Sequence, residues 1–184
     1  MRKNVEALLA FGVAAMLWGP AATAQTSGST TVTASASIVE GIVLQSTADL
    51  NFGDIAPSAA AGTVTVAADG TATSTGGVTI VGNPTNPPQA AAYSILLVGR
   101  AGNKKVWFQV PANGVVTISN GASSMAVNNF TANLPCAQTG TTAPGPGPCF
   151  AEPSTLQVGA TLSIGANQPV GLYSGTFNVT AHRF

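Results

Sequence analysis

Apolar and polar residues alternate over much of the chain, most clearly towards its end. In residues 155–164, and again in residues 173–181 of the final stretch 171–184, the apolar side chains share one parity and the polar side chains share the other. A period of two is typical of a β-strand that buries one face. Residues 165–171 between them have turn chemistry. We therefore expect the chain to close with a long β-hairpin.

The same pattern predicts strands earlier in the chain, whereas no window shows a helical period. Asn120-Gly121 and Asp69-Gly70 are typical of tight turns between paired strands, and the proline-rich residues 83–88 are typical of a loop. The predicted strands span residues 30–44, 48–55, 62–67, 76–82, 91–98, 105–110, 114–119 and 125–131. Short strands separated by such turns predict an all-β sandwich or barrel.

The first 24 residues have the features of a secretory signal peptide. Arg2 and Lys3 form a basic start, residues 7–18 are apolar, and Ala22-Thr23-Ala24 is a small-residue cleavage site. We expect cleavage before Gln25, export through the periplasm, and a secreted or surface location. The remaining residues 25–184 suit a single domain. We expect no membrane span after cleavage, because no other segment is sufficiently apolar.

Composition and motifs argue against several function classes. The chain has six basic and six acidic residues, so it lacks the basic surplus of a nucleic-acid-binding protein. Its one histidine, His182, lies near the end, and no nucleophile motif is present. We therefore predict no enzymatic activity, no metal site and no cofactor.

Two cysteines, Cys136 and Cys149, flank a segment rich in proline and glycine. In an exported chain, two cysteines at short spacing most simply form a disulfide, which is favoured over a redox role or a metal site. The bridge would close a loop over residues 135–150 and contribute roughly 3 kcal/mol.

A cationic turn beside aromatic residues is a candidate binding surface. Arg100, Lys104 and Lys105 precede Trp107, and such a hairpin can bind a glycan or an anionic surface. In the alternative interpretation, a solvated turn is followed by aromatic residues of the core. We favour this second interpretation.

Two stretches carry a resemblance to a known family. Ala48-Asp-Leu-Asn-Phe-Gly-Asp-Ile55 and Gly171-Leu-Tyr-Ser-Gly-Thr-Phe-Asn-Val-Thr180 resemble the secreted bacterial family called domain of unknown function 4402. The likeness covers roughly residues 30–184. That family is similar in turn to spore-coat-U and archaic chaperone–usher pilin domains. The resemblance implies an immunoglobulin-like or pilin-like antiparallel β-sandwich.

The pilin resemblance also implies a mechanism of assembly. Such subunits lack one strand, and an N-terminal extension of the next subunit fills the gap. Residues 25–40 have the required alternation, with Val32, Ala34, Ala36 and Ile38 on one face. Ala36 stands where those domains have a cysteine. In the alternative, this segment pairs within its own subunit as the first strand.

These observations lead to two hypotheses about function. The first is a non-enzymatic, secreted structural subunit of a bacterial surface fibre, pilus or coat that assembles by β-strand donation. Its expected partners are further copies of itself or related subunits, together with a periplasmic chaperone and an usher. The alternative is a monomeric extracellular binding or adhesion module that recognises a glycan or a surface.

Overall fold

The computed structural model describes residues 33–37, 41–98, 105–140, 149–150 and 155–183. The chain forms two compact units, residues 1–36 and residues 37–184. In the first unit, the described residues 33–36 are exposed and have no regular secondary structure. All of the strands given below belong to the second unit.

The second unit is built from β-strands, and no helix occurs in the part of the chain that the structure describes. The all-β prediction is therefore confirmed. The strands are β1 (Gly41–Ala48), β2 (Asp54–Val66), β3 (Ala72–Val81), β4 (Ala91–Val98), β5 (Lys105–Val110), β6 (Val116–Ser119), β7 (Ser124–Ala132), β8 (Ala137–Thr139), β9 (Cys149–Phe150), β10 (Thr155–Ile164) and β11 (Thr180–Arg183).

The larger sheet has seven strands and is organised around β10. Along one edge, the first part of β10 pairs with β4 and the second part pairs with β2. Along the other edge, β10 pairs with β7. Beyond these neighbours, β1 pairs with β4, β3 with β2 and β6 with β7, and all of these pairs are antiparallel. As a result, β1 is an edge strand of the larger sheet.

The smaller sheet has four strands and is organised around β5. One edge of β5 pairs with β11, and β5 also pairs with β8 in parallel and with β9 in antiparallel orientation. The two sheets pack as a sandwich around one core. Its largest fully buried side chains come mainly from β2, β5 and β10: Phe108, Leu156, Leu162, Val64, Val66, Val106, Val110 and Val158.

The two predicted tight turns are confirmed, and their side chains explain them. In the β2–β3 hairpin, the Asp69 carboxylate accepts a hydrogen bond from the Thr71 amide at 2.8 Å, and Gly70 adopts a φ of 85°. In the β6–β7 hairpin, the side-chain oxygen of Asn120 accepts hydrogen bonds from two backbone amides further along the turn. Asx turns of this kind are the usual role of Asp and Asn.

The predicted hairpin at the end of the chain is wrong. β10 lies in the larger sheet and β11 in the smaller one, so residues 165–179 cross between the sheets. The final strand also begins at Thr180 rather than at residue 171. β4 likewise lies in the larger sheet and β5 in the smaller one. The strands on either side of residues 99–104 therefore do not form the predicted hairpin either.

The N-terminal alternation is only partly realised as a strand. Of the strand predicted over residues 30–44, the part from Gly41 onward belongs to β1. Residues 33–37 have no regular structure, and residues 30–32 and 38–40 lie outside the described residues.

Leu162 is 1% exposed at the centre of the core. We expect Leu162→Ala to lower the free energy of unfolding by about 2–5 kcal/mol, because it removes buried methyl groups and leaves a cavity. Ser163→Ala, on the exposed face of the same strand, should change it by less than about 0.5 kcal/mol. Urea denaturation measures both. Equal effects of the two substitutions would contradict the assignment of the core face.

Candidate functional site

β1 and residues 173–183 lie in different sheets and do not pair with each other, and we call the boundary between them the seam. β1 is the edge strand of the larger sheet, and β11 is the edge strand of the smaller one. Their Cα atoms approach within 8 Å, yet the two strands do not pair with each other. The sandwich is therefore not closed on this side.

The segment that leads into β11 has few backbone partners. Ser174 and Ser119 of β6 exchange two backbone hydrogen bonds, at 2.9 and 3.0 Å. β11 pairs with β5 from Thr180 onward. Between these points, residues 175–179 make no backbone hydrogen bond to any other described residue. This stretch has the alternation of a strand without a neighbouring strand among the described residues.

Apolar side chains along both sides of the seam are only partly buried. They pack against the core but are not enclosed by it. On the β1 side they are Ile42, Leu44 and Leu50, and on the other side they are Tyr173, Phe177, Val179 and Ala181. Protein interiors are normally closely packed. The partial burial of both rows shows that the core is incomplete along the seam.

A cavity of about 800 Å³ opens between the inner face of the larger sheet and residues 168–177. Pockets of this size are large enough to hold a sizeable ligand or a peptide segment. The polar groups near it include Asp49, Asn86 and Gln168. Its apolar lining includes Leu50, Phe52, Ile55, Tyr93, Val116, Ile118, Met125, Val127, Leu162, Ile164 and Phe177.

The loop before the final segment is braced by its own hydrogen bonds. The Tyr173 hydroxyl donates to the carbonyl of Pro169 at 2.7 Å and accepts a hydrogen bond from the Gln168 side chain at 2.9 Å. Val170 and Leu172, which also line the cavity, are each 88% exposed. The braced loop thus presents two apolar side chains to solvent beside an apolar cavity.

Gly175 allows the final segment to lie close to β6. A Cβ atom at this position would come within 2.4 Å of the Thr117 carbonyl oxygen. Any larger residue would therefore push the segment away from β6. The glycine fixes one wall of the cavity through this close approach.

The stretch from residue 49 to residue 54 forms the opposite wall. Asn51 exchanges backbone hydrogen bonds with Gln89, both at 2.8 Å, and its side-chain amide donates to Asn86 at 2.6 Å. Gly53 adopts a φ of 76°, and a Cβ there would come within 2.9 Å of the Pro88 ring. These contacts join the stretch to the proline-rich loop, so that neighbouring Leu50 and Phe52 line the cavity.

Asp54 completes this hydrogen-bond network. The side-chain amides of Asn83 and Asn86 each donate to one of its carboxylate oxygens. These hydrogen bonds hold the pKa of the Asp54 carboxyl below its ordinary value of 3.8, because they favour the ionised form. The bond from Asn83 has the largest effect, and the bond from Asn86 has the next largest.

The two stretches that contribute to the walls of the cavity, residues 48–55 and 171–180, both lie within the part of the chain that matches a known family. Residues 42–182 match the model of the family described as domain of unknown function DUF4402. The chain belongs to this family. No curated protein and no solved structure matches the chain.

Two of the four residues predicted to form the apolar face of a donor strand lie outside the part of this DUF4402 protein that the structure describes. Val32 and Ile38 lie outside the described residues. Ala34 and Ala36 are described, and both are exposed and without regular structure. Whether this segment pairs within or between subunits thus stays a prediction.

Trp107, the aromatic residue of the candidate binding surface, is buried rather than exposed. This side chain is 7% exposed, and its ring stacks on His182 with a centroid distance of 4.0 Å. The Nε2 atom of His182 also lies 3.2 Å from the Gln109 side-chain oxygen. Arg100 and Lys104 lie outside the described residues, as does the side chain of Lys105. The Trp107 environment favours the interpretation as a core aromatic.

Two further features concern ligands and membranes. Among the described residues, no three His, Cys, Asp or Glu side chains are grouped so that they could hold a metal ion. The same part of the chain contains no helix that is long and apolar enough to cross a membrane.

Sequence patterns did not reveal the cavity, because its lining comes from strands far apart in the chain. Met125 and Leu162, for example, belong to β7 and β10. Their alternation predicts that they face inward but does not tell whether anything lies opposite. The one local signal was the strand-like pattern of residues 173–179, which has no neighbouring strand for most of its length among the described residues.

The backbone places the two cysteines near each other along β5. The carbonyl of Cys136 accepts a hydrogen bond from the Phe108 amide at 3.1 Å, and Cys149 pairs with Val106 of the same strand. We predict that non-reducing mass spectrometry of the exported protein will find one peptide pair joined through these cysteines. Replacing both with serine should lower stability by about 3 kcal/mol. Two unlinked thiols in the exported protein would contradict this.

The Asp54 network predicts a specific acid sensitivity. Because the folded-state pKa lies below 3.8, the stabilisation by this carboxylate is complete above pH 3.8 and is lost as the pH falls through the folded-state value. We expect Asp54→Asn to be less stable than the wild type at pH 7, with the difference shrinking below pH 3.8.

Urea denaturation at a series of pH values measures this difference. Asp49→Asn is a suitable control, because it removes a carboxylate from the same stretch without touching the Asn83 and Asn86 amides. A gap between wild type and Asp54→Asn that stays constant down to pH 2 (roughly two units below an unperturbed Asp) would refute the role given to this network.

Proposed function

We propose that this DUF4402 protein is a non-enzymatic, exported structural subunit of a bacterial surface fibre, pilus or coat. In this proposal, it assembles by accepting a β-strand from another copy into the seam. The observation that carries the proposal is a cavity of about 800 Å³ beside the final segment, where the backbone of residues 175–179 has no partner among the described residues.

A β-strand suits the seam better than a compact ligand does. The backbone of residues 175–179 has no partner among the described residues, and the outer edge of β1 is also unpaired there. An added strand supplies main-chain hydrogen bonds to such edges, and its alternate side chains enter the core. It would cover the partly buried side chains beside residues 175–179. Between β1 and β11 themselves, whose Cα atoms come within 8 Å, a further strand does not fit, because it would need about 10 Å.

Residues 26–38 have the chemistry of that strand. They are uncharged, and Val32, Ala34, Ala36 and Ile38 alternate with Thr and Ser. A strand with one apolar and one hydroxyl face would turn the first to the cavity and the second to solvent. The exposure of residues 33–37 is consistent with a segment available to a partner.

Pairing of this segment with its own β1 is less favourable. Such a hairpin would need a tight turn at Ile38-Val39-Glu40, immediately before Gly41. β-branched residues are poor at turn positions, which favour Gly, Asn, Asp and Pro. The sequence before β1 therefore supports donation to a second copy.

Export and partners follow from the same proposal. A signal peptide over residues 1–24 would deliver the chain to the periplasm. An apolar seam exposed there is prone to aggregation until it is filled, which gives a periplasmic chaperone and an usher a role. The alternative of a glycan-binding module that uses Trp107 has less support, because this side chain is stacked on His182.

The proposal is tested with the chain from Gln25 onward and with a version that lacks residues 25–38. We expect the longer protein to form ladders on unheated gels and the shorter one to remain monomeric. A synthetic peptide of residues 26–40 should stabilise the shorter protein by about 2.7 kcal/mol at a hundredfold excess over its Kd. Thermal denaturation measures this stabilisation.

The control peptide carries Ala34→Asp and Ala36→Asp, which place charges on the face that would enter the core. It should not stabilise the truncated protein, because burying unpaired charge is costly. If the longer protein is instead a stable monomer and truncation simply unfolds it, the segment is an internal strand. The fibre proposal would then give way to a monomeric binding module.

A further inference from the structure

The cavity has a charged group in its lining to which the domain gives no partner. Asp49 and Asp54 are the two carboxylates among the lining residues. The Asp54 carboxylate accepts hydrogen bonds from the side chains of Asn83 and Asn86. The Asp49 carboxylate accepts no hydrogen bond from the described residues and forms no ion pair with them, since the Gln89 side chain donates to the Asp49 backbone carbonyl instead. This carboxylate is therefore free to bind a ligand.

A second oxygen atom without a partner lies beside this carboxylate. Near the end of β1, Ser46 pairs with Tyr93 of β4 and Ala48 with Ala92, and Asp49 follows directly. Burial first, and then the negative charge of Asp49, raise the pKa of Tyr93 above its ordinary value of 10.0. The Tyr93 hydroxyl also makes no hydrogen bond to another described residue. The carboxylate and the hydroxyl thus form a pair of neighbouring acceptors in the lining of the cavity.

The remaining lining restricts the charge that a ligand can carry. Among the described residues that line the cavity, no Lys, Arg or His occurs. A ligand with a carboxylate, such as a fatty acid, would therefore meet Asp49 and Asp54 without any cation to pair with. A positively charged group would instead complement the charge of the cavity.

Size and apolar character describe the rest of the ligand. The cavity volume of about 800 Å³ lies within the range of roughly 300–1,000 Å³ that is typical of small-molecule pockets. Apolar side chains from several strands line it, among them Phe52, Met125, Val127 and Leu162. Such a lining favours a hydrocarbon or aromatic body, whose burial is driven by the removal of apolar surface from water.

We propose that the cavity of a single copy binds an apolar small molecule that carries a primary amine. The ammonium group donates hydrogen bonds to the Asp49 carboxylate and to the Tyr93 hydroxyl oxygen, and such charge-assisted hydrogen bonds are stronger than neutral ones. The hydrocarbon part contacts the apolar lining. This inference goes beyond strand donation and does not depend on it, because Asp49 and residues 175–179 belong to opposite walls of the cavity.

The exposed loop at the cavity suits such a ligand. Val170 and Leu172 both line the cavity, yet each is 88% exposed. The hydrogen bond from the Tyr93-independent Tyr173 hydroxyl to the Pro169 carbonyl holds the loop that carries them. A hydrocarbon chain in the cavity would remove part of these two side chains from water, which adds to its affinity.

Three probes that share one hydrocarbon chain test the charge preference: octylamine, octanol and octanoate. Isothermal titration calorimetry on the monomeric fraction of the chain from Gln25 onward should show one site per chain. We expect octylamine to bind about tenfold more tightly than octanol, because a hydrogen bond to a charged group contributes more than a neutral one. Octanoate should bind more weakly than octanol, because its charge repels the two carboxylates.

Substitutions locate the bound amine. Asp49→Asn should weaken octylamine binding about tenfold, to the affinity of octanol, and should leave octanol binding unchanged. Tyr93→Phe keeps the ring and should weaken octylamine binding about threefold. Asp69→Asn is the matched control, because it removes a carboxylate from the turn between β2 and β3, outside the cavity lining, and should change none of the affinities.

Several results would overturn the inference. Equal affinities for octylamine and octanol would show that the cavity does not select a positive charge. Octylamine binding that Asp49→Asn leaves unchanged would place the amine elsewhere. Uptake of all three probes without saturation would mean non-specific partition into apolar surface. Failure of the peptide of residues 26–40 to stabilise the protein without residues 25–38 would refute strand donation and leave this inference intact.

Discussion

The side chains between the two sheets do not fill all of the space between them. Leu156 of β10 and Phe108 of β5 belong to one core cluster and are at most 1% exposed. Further along β10, Leu162 and Ile164 line a cavity of about 800 Å³ together with residues 168–177. Unfilled space costs packing energy, because the side chains that line it lack contacts on one side. The need to fill it is the constraint on which the stability of this side of the domain depends.

The walls of the cavity are held firmly even though the backbone edges beside it are free. Asn51 and Asp54 tie one wall to the proline-rich loop through four side-chain hydrogen bonds. On the other wall, Gly175 lets the final segment approach β6. A site whose walls are already in place loses less conformational freedom when it is filled. These contacts give Asn51, Asp54 and Gly175 a structural role in shaping the walls of the cavity.

Local pattern predicted the strands well but predicted their partners poorly. The bounds of β4, β5 and β10 match the alternation, because alternation reports which face of a strand is buried. The turn at Asn120 was predictable because its side chain bonds to its own turn. The sequences of residues 99–104 and 165–171 have the same glycine and asparagine chemistry as hairpins, yet the strands on either side of each segment lie in different sheets. Nothing in their sequence separates these two outcomes, and so the cavity between the sheets could not be predicted.

Both the composition and the topology of the chain indicate that the strand edges at the seam are poorly protected. Natural proteins usually protect exposed strand edges with charged residues, but only 7% of this chain is charged, against about 25% in typical proteins. No Asp, Glu, Lys or Arg occurs between Glu152 and Arg183, a stretch that includes β10 and the final segment. A monomer with such edges would be prone to self-association. Edges that are covered in an assembled state need no charges, and charges at the seam would hinder an uncharged strand from entering it. The low charge of the chain is consistent with the proposed assembly through its edges.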